Sequence, residues 1–92
     1  MQDEQERRVI LMSNTDFLDR AAELVIKHSP YKLNKDNIFV VWASKVLQNN
    51  KALLGTTIVE DDTYYEVTYN GDDNVFYVDV YRHHENFEVK AG

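Results

Sequence analysis

Histidines and carboxylates are the side chains of this sequence with the most obvious capacity for chemistry. His83, His84 and Glu85 are consecutive, and imidazole and carboxylate groups are common metal ligands. Adjacent residues of a strand point to opposite faces, so the two histidines cannot bind one ion while the strand continues. A third ligand would have to come from His28 or a distant acid. We interpret the three residues as a polar strand end and predict no metal site.

Two carboxylates, Glu66 and Asp79, fall on adjacent predicted strands, and a close carboxylate pair can do the acid–base work of a glycosidase. That work requires burial, and a chain of 92 residues offers little to bury the pair. We therefore interpret them as exposed acids that repel each other weakly. With three glycines there is no Gly-rich phosphate loop. The sequence predicts no catalytic residue, no cofactor and no enzyme.

The composition predicts one soluble globular domain. A hydrophobic content of 43% is enough for a core, and 92 residues correspond to one domain. The absence of cysteine excludes disulfides and thiolate metal sites. No apolar run approaches the roughly 18–20 residues that span a bilayer, and no signal peptide is evident. We expect a cytoplasmic protein that does not bind membranes.

Charge is distributed unevenly along the chain. Residues 1–59 hold eight Lys/Arg and seven Asp/Glu, whereas residues 60–92 hold two Lys/Arg and nine Asp/Glu, which gives +1 and −7. An acidic surface repels phosphate, so direct nucleic-acid binding is disfavoured. The same surface attracts a basic protein surface. The alternative is a solvated acidic face that keeps the protein soluble.

The N-terminal segment differs from the rest of the chain. Residues 1–12 are polar and then briefly apolar, and we predict a flexible extension there, followed by a single domain at 13–92. Met12 precedes a helix-capping sequence and could be the true or an alternative start. A short strand at 8–12 is the other interpretation.

One helix is predicted after this extension. Ser13 or Asn14 can cap it, Phe17, Ala21 and Val25 repeat on one face, and Pro30 ends it. From residue 37 the period changes to two, which predicts strands at 37–47, 51–59, 63–70 and 74–82 and a short edge strand at 87–89. A helix over 46–54 is the alternative that the propensities allow.

The predicted fold is α+β, with the N-terminal helix packed on a four-stranded antiparallel β-meander. Gly55 is a possible bulge. Residues 70–73 are a hairpin turn, in which Asn70 and Gly71 tolerate positive φ. We expect Trp42 to be buried, with an interface anchor as the alternative. The predicted core side of the third and fourth strands carries Tyr65, Val67, Tyr69, Phe76, Val78 and Val80.

The opposite side of the last two predicted strands is the best candidate for a binding surface. Tyrosine is enriched at interfaces because it supplies area at low entropy cost, and the acids would complement a basic partner. The alternatives are a solvent-facing sheet and a face that closes a homodimer. The predicted partner-binding residues are Glu60, Asp61, Asp62, Tyr64, Glu66, Asp72, Asp73, Tyr77, Asp79 and Tyr81.

Three stretches of the sequence form a combined pattern: FVVWASKVLQNNKALLGTT at 39–57, YYEVTYNGD at 64–72 and YVDVY at 77–81. This pattern resembles a family of small proteins of unassigned function encoded by phages and prophages of Gram-positive bacteria. The resemblance covers about half the chain, residues 39–82. The residue before Lys51 is often tryptophan in that family and is Asn50 here, a departure that bears on whether a partner is shared.

The resemblance implies a phage source, and hence the bacterial host's cytoplasm, but no activity. Small acidic phage proteins that are not enzymes are often inhibitors that act by contact, including anti-CRISPR and other anti-defence proteins. We therefore expect a protein-binding module that inhibits a host defence or nucleic-acid-handling protein with a basic surface. The alternatives are an accessory or structural phage protein acting as a homo-oligomer and, third, a small enzyme or metal-binding protein.

Overall fold

A serine cap begins the one α-helix in residues 12–92, which are the residues that the computed structural model describes. The helix, α1, runs Asn14–His28, and the Ser13 hydroxyl accepts a hydrogen bond from the Asp16 backbone N–H at 3.0 Å. Ser29 is extended before Pro30 and ends the helix, as predicted. This helix is too short and too polar to cross a bilayer. The predicted extension, apart from Met12, lies outside the described residues.

Four antiparallel strands follow α1 and a short 3-10 helix, Lys35–Asn37. They pair in the order β1-β2-β3-β4, so each strand lies beside its neighbour in sequence. The predicted α+β fold with a four-stranded meander is confirmed. The strands are β1 Ile38–Val46, β2 Asn49–Thr56, β3 Thr63–Asn70 and β4 Val75–Arg82.

The core lies between α1 and the middle of the sheet. Phe17, Ala21 and Val25 of α1 are fully buried, at the i, i+4, i+8 spacing of one helix face. They contact the buried side of β2 and β3 and, through Phe76, the near part of β4. The buried sheet residues are Ala52, Leu54, Tyr65, Val67 and Tyr69.

The β1–β2 hairpin differs from the prediction in its turn. Residues 46–54 are strand and turn, so the helical alternative is wrong. The turn consists of Leu47 and Gln48 rather than residues 48–50, and β2 ends at Thr56 rather than at residue 59. Leu47 adopts φ 55°, a left-handed conformation that a sequence pattern does not suggest for leucine.

The bulge and the positive-φ residue also fall elsewhere than expected. Gly55 pairs regularly with Phe39, and the register shifts on β1, between Val40 and Trp42. In the β3–β4 turn, Asn74 rather than Asn70 or Gly71 adopts φ 55°. The Asn70 side chain accepts hydrogen bonds from the backbone N–H groups of Asp72 and Asp73, which stabilises the turn at residues 71–74.

Two further predictions are wrong. Trp42 is 42% exposed, because the register shift between Val40 and Trp42 places its side chain opposite Leu53, on the side of the sheet away from α1. Residues 87–89 form no strand, and Phe87 and Val89 are exposed. Two apolar side chains separated by Glu88 bury too little surface to offset the entropy of ordering a further strand.

Candidate functional site

The side of the sheet that faces away from α1 is the candidate site, and we call it the open face. Directly paired residues of antiparallel strands lie on the same face, so the strand register defines it. No described element covers this side. Its larger side chains are Phe39, Trp42, Lys51, Leu53, Tyr64, Glu66, Tyr77, Asp79 and Tyr81.

The β3–β4 hairpin brings the predicted tyrosines and two of the predicted acids together on the open face. Tyr64 lies opposite Tyr81, and Glu66 lies opposite Asp79. Tyr77 follows on the same side, opposite Thr68. All three tyrosines remain about half exposed. The predicted tyrosine-and-carboxylate side of these two strands is therefore confirmed. On the predicted core side, however, Val80 is 56% exposed and does not pack against the core.

Glu66 is the open-face carboxylate that has both a hydrogen bond and an ion pair. Its Oε1 atom accepts a hydrogen bond from the Tyr81 hydroxyl at 2.9 Å, and its Oε2 atom lies 3.7 Å from the Lys51 ammonium. Its side chain is 16% exposed, so it is more enclosed than the sequence suggested. The hydrogen bond to Glu66, and then the Glu66 charge, raise the pKa of the Tyr81 hydroxyl above 10.0.

Asp79 and Glu60 are the predicted site acids with the most freedom to meet a partner. Asp79 is exposed beside Glu66, and within residues 12–92 its carboxylate has neither a hydrogen bond nor an ion pair. The backbone carbonyl of Glu60 accepts a hydrogen bond from the Tyr31 hydroxyl at 3.1 Å, and its carboxylate takes no part in this bond. The two carboxylates are thus directed to solvent.

The four turn aspartates have structural partners inside the chain. Asp61 accepts bonds from the Thr56 hydroxyl at 2.9 Å and from the Thr63 backbone N–H at 3.1 Å. Asp62 lies 3.5 Å from the Arg82 guanidinium. At the other end of the hairpin, the Gln48 amide donates to Asp72 at 2.6 Å and the Asn70 amide to Asp73 at 3.4 Å. These acids therefore stabilise the turns as well as contributing charge.

The turn aspartates lie at the two ends of the hairpin, with the tyrosines between them. Asp61 and Asp62 precede β3, and Asp72 and Asp73 follow it. Seven steps along β3 separate the two ends by roughly 23 Å. The acidic charge therefore frames the tyrosines and does not form one patch.

Phe39 and Trp42 extend the open face beyond the residues that sequence reasoning selected. A side chain at Gly55 would meet the Phe39 ring at 2.6 Å and the Tyr64 ring at 3.0 Å, so the two rings lie together above this glycine. The sequence signal that could have indicated this close approach was a glycine inside a predicted strand. The bulge in β1 places Trp42 on the same side, opposite Leu53.

Two shallow clefts lie at opposite ends of the open face. One, of about 280 Å³, is bounded by Phe39, Tyr64, Asp61 and Asp62. The other, of about 360 Å³, is bounded by Ser44, Val46, Lys51, Thr68 and Tyr77, among others. Both have the size to accept a single side chain of a partner.

Of the two consecutive histidines, His83 lines the cleft beside Phe39 and Tyr64. His84 lies 3.9 Å from Glu85, and both side chains are largely exposed. No group of three or more His, Asp or Glu side chains within residues 12–92 is arranged to hold a metal ion. The pair has the geometry of a solvated chain segment after β4.

Comparison with known proteins gives a family but no activity. Residues 12–91 match the model of a family of unknown function, DUF6275, and the match spans nearly all of the chain. The chain therefore belongs to this family. No curated protein and no solved structure matches it.

Proposed function

We propose that this member of the DUF6275 family is a non-catalytic protein-binding module whose open face is the contact surface. The observation that carries the proposal is the set of five half-exposed aromatic side chains on one uncovered sheet face: Phe39, Trp42, Tyr64, Tyr77 and Tyr81. Rigid aromatic side chains of this kind are the residues that contribute most to protein interfaces.

Charge supports a partner with a basic surface. Seven acids and no base lie between Glu60 and Asp79, and they flank the tyrosines at both ends. Asp79 and Glu60 would meet Lys or Arg side chains of the partner, whereas nucleic acid would be repelled. Lys51 moderates the charge at the centre of the face by pairing with Glu66.

The more specific form of the proposal is a phage-encoded inhibitor of a host defence or nucleic-acid-handling protein, in the manner of anti-CRISPR proteins. Two observations support it: the resemblance of residues 39–82 to small phage and prophage proteins, and the net charge of −7 in residues 60–92. A protein that normally holds nucleic acid offers the basic surface that the open face would complement.

A second candidate, an accessory or structural protein acting as a homo-oligomer, is favoured by a different observation. The outer edge of β1 is unpaired by any described strand, and most of its side chains are half exposed. Such an edge can pair with another chain. This candidate needs no host partner.

The experiment is a pull-down of the tagged chain from host lysate at low and high salt, followed by affinity measurement with the retained protein. A stoichiometric basic protein that is lost at high salt is expected. Tyr77→Ala should raise Kd at least about tenfold, as truncation of an interface aromatic does. Asp79→Lys should weaken binding most at low salt.

Matched controls come from the exposed C-terminal residues. Phe87→Ala removes an exposed ring away from the open face, and Glu88→Lys makes the same charge change as Asp79→Lys. Both should leave Kd unchanged. Recovery of the bait alone, or equal effects of the open-face variants and their controls, would reject the open face as the contact surface.

A further inference from the structure

The outer edge of β1 is a second interaction surface, which shares Trp42 with the open face but not the tyrosines of β3 and β4. β1 is nine residues long and lies at the end of the sheet, with β2 on one side and no described strand on the other. Every second residue of such an edge offers backbone groups that point outward and have no strand partner. Long edges of this kind are suited to pairing with a further strand.

Both sides of β1 are apolar, and its valines are exposed among the described residues. Val40, Val41 and Val46 are 43%, 47% and 64% exposed. Edge strands are commonly protected by proline, by charges or by bulges. Here the single charge is Lys45 and the bulge is confined to the register shift between Val40 and Trp42. Residues 42–46 therefore form a regular, nearly neutral edge.

We propose that this edge pairs with the same edge of a second copy of the chain, antiparallel and centred on Ser44. In this register Trp42 of each copy lies opposite Val46 of the other, and both side chains are on the open face. Lys45 lies opposite Ala43, so the two lysines do not face each other. Apolar cross-strand pairs at both ends stabilise the pairing.

Charge selects this edge for association between two copies of the chain. Two copies with a net charge of −6 each repel when they approach through β3, β4 and their turns, where seven acids lie. The β1 edge is at the opposite side of the sheet. It is the approach of lowest repulsion, because its one charge, on Lys45, is opposite in sign to the net charge of the incoming copy.

The paired form is a continuous eight-stranded sheet with both helices on one side and both open faces on the other. Each hairpin with its tyrosines then lies at an outer end of the shared face, away from the junction. This inference does not rest on the proposed function, since pairing of β1 leaves Tyr77 and Asp79 accessible. A chain that binds no host protein would still form the dimer.

The absence of cysteine permits a direct test of register in the full chain. Directly opposite residues in an antiparallel pair have Cα atoms about 4.5–5.5 Å apart, which is within disulfide range. Ser44→Cys should therefore form a covalent dimer under mild oxidation, whereas Tyr77→Cys, on β4 and equally directed to the open face, should not. Equal cross-linking of the two variants would overturn the proposal.

Solution mass gives the second readout. The unmodified chain should sediment as a dimer, and Val46→Lys should raise the dimer dissociation constant at least about tenfold, because two lysines enter the junction and two apolar pairs are lost. Val59→Lys makes the same change at an exposed turn residue and should sediment like the parent. A monomeric parent at every concentration, or a Val46→Lys dimer as tight as the parent, would refute pairing through β1.

Discussion

Asn50 is a buried amide without a partner among the described residues. It is 1% exposed, and neither its Nδ2 nor its Oδ1 atom has a hydrogen-bond partner. Its cross-strand neighbours are Lys45 and Tyr69, but the Tyr69 hydroxyl donates to Asn74 at 2.8 Å. Burial of an unpaired amide costs free energy that folding must recover elsewhere.

Replacement of this amide should stabilise the fold. We expect Asn50→Leu to raise the free energy of unfolding by about 1 kcal/mol, because the desolvation cost of the amide disappears. Denaturant unfolding measures the change. The neighbouring Asn49→Leu is the control, since the Asn49 side chain accepts a hydrogen bond from the Gly71 backbone N–H at 3.2 Å. That variant should lower the free energy of unfolding by about 1 kcal/mol. Destabilisation by both substitutions would show that the Asn50 amide has hydrogen-bond partners in the folded protein.

Tyr81 should titrate above the ordinary tyrosine pKa of 10.0. Glu66 raises the pKa of its hydroxyl above 10.0 through a hydrogen bond and through charge, with smaller contributions from partial burial and Asp79. Glu66→Gln removes the charge, so the pKa of Tyr81 should fall back toward 10.0. Ultraviolet titration of tyrosinate measures this, and Tyr81→Phe identifies the group. Titration curves that are identical with and without the Glu66 charge would contradict the assignment.

The raised pKa of Tyr81 also sets the sign of a stability change. The folded chain holds the Tyr81 proton more tightly than the unfolded chain. The stabilisation of the fold by this protonated hydroxyl is therefore complete below pH 10.0. It is lost as the pH rises through the folded-state pKa. The free energy of unfolding of the Glu66→Gln variant should therefore fall less than that of the parent as the pH rises through this range.

At the scale of elements, Gly71 joins the two turns at one end of the sheet. A Cβ atom at Gly71 would clash with the backbone oxygen of Gln48 in the β1–β2 turn. Gly71→Ala should therefore destabilise the fold by about 1–3 kcal/mol, because backbone must move. Gly55→Ala should cost less, since the Phe39 and Tyr64 rings that it meets are half exposed and can rotate away. Thermal unfolding of the two variants ranks them, and the reverse order would contradict this account.

The helix and the last two strands could be predicted because each has a local signal. Ser13 and Pro30 mark the ends of α1, and the strict alternation of residues 63–70 fixes both the strand and its faces. The exposure of Trp42 could not be predicted in this way. It depends on the register shift between Val40 and Trp42, which turns the side chain away from α1, and no local pattern marks that shift.

The turns were the least predictable elements. Leu47 occupies the left-handed region because the pairing of Val46 with Asn49 leaves only two residues to reverse the chain. That requirement comes from the register of the whole hairpin and overrides the preference of leucine. In the β3–β4 turn, the Asn70 side chain bonds to the turn backbone and moves the positive φ to Asn74.

At the scale of the whole molecule, the sequence predicted the central residues of the candidate site but not the residues at its margin. The three tyrosines, Glu66 and Asp79 share a face because alternation in two adjacent strands is enough to place them. Phe39 and Trp42 join them only through the β1 bulge, which shifts the alternation by one residue. The hydrogen bonds of the turn aspartates depend on side chains up to 24 residues away, beyond the reach of a local pattern.

The meander order has a further consequence for the route by which the chain folds. The three turns contain two, six and four residues, and the entropy lost on closing such short loops is small. Contacts between sequence neighbours favour rapid folding relative to sheets with distant pairings. Each strand can add to the edge of the one made before it as the chain leaves the ribosome, and no strand has to insert between two that are already paired.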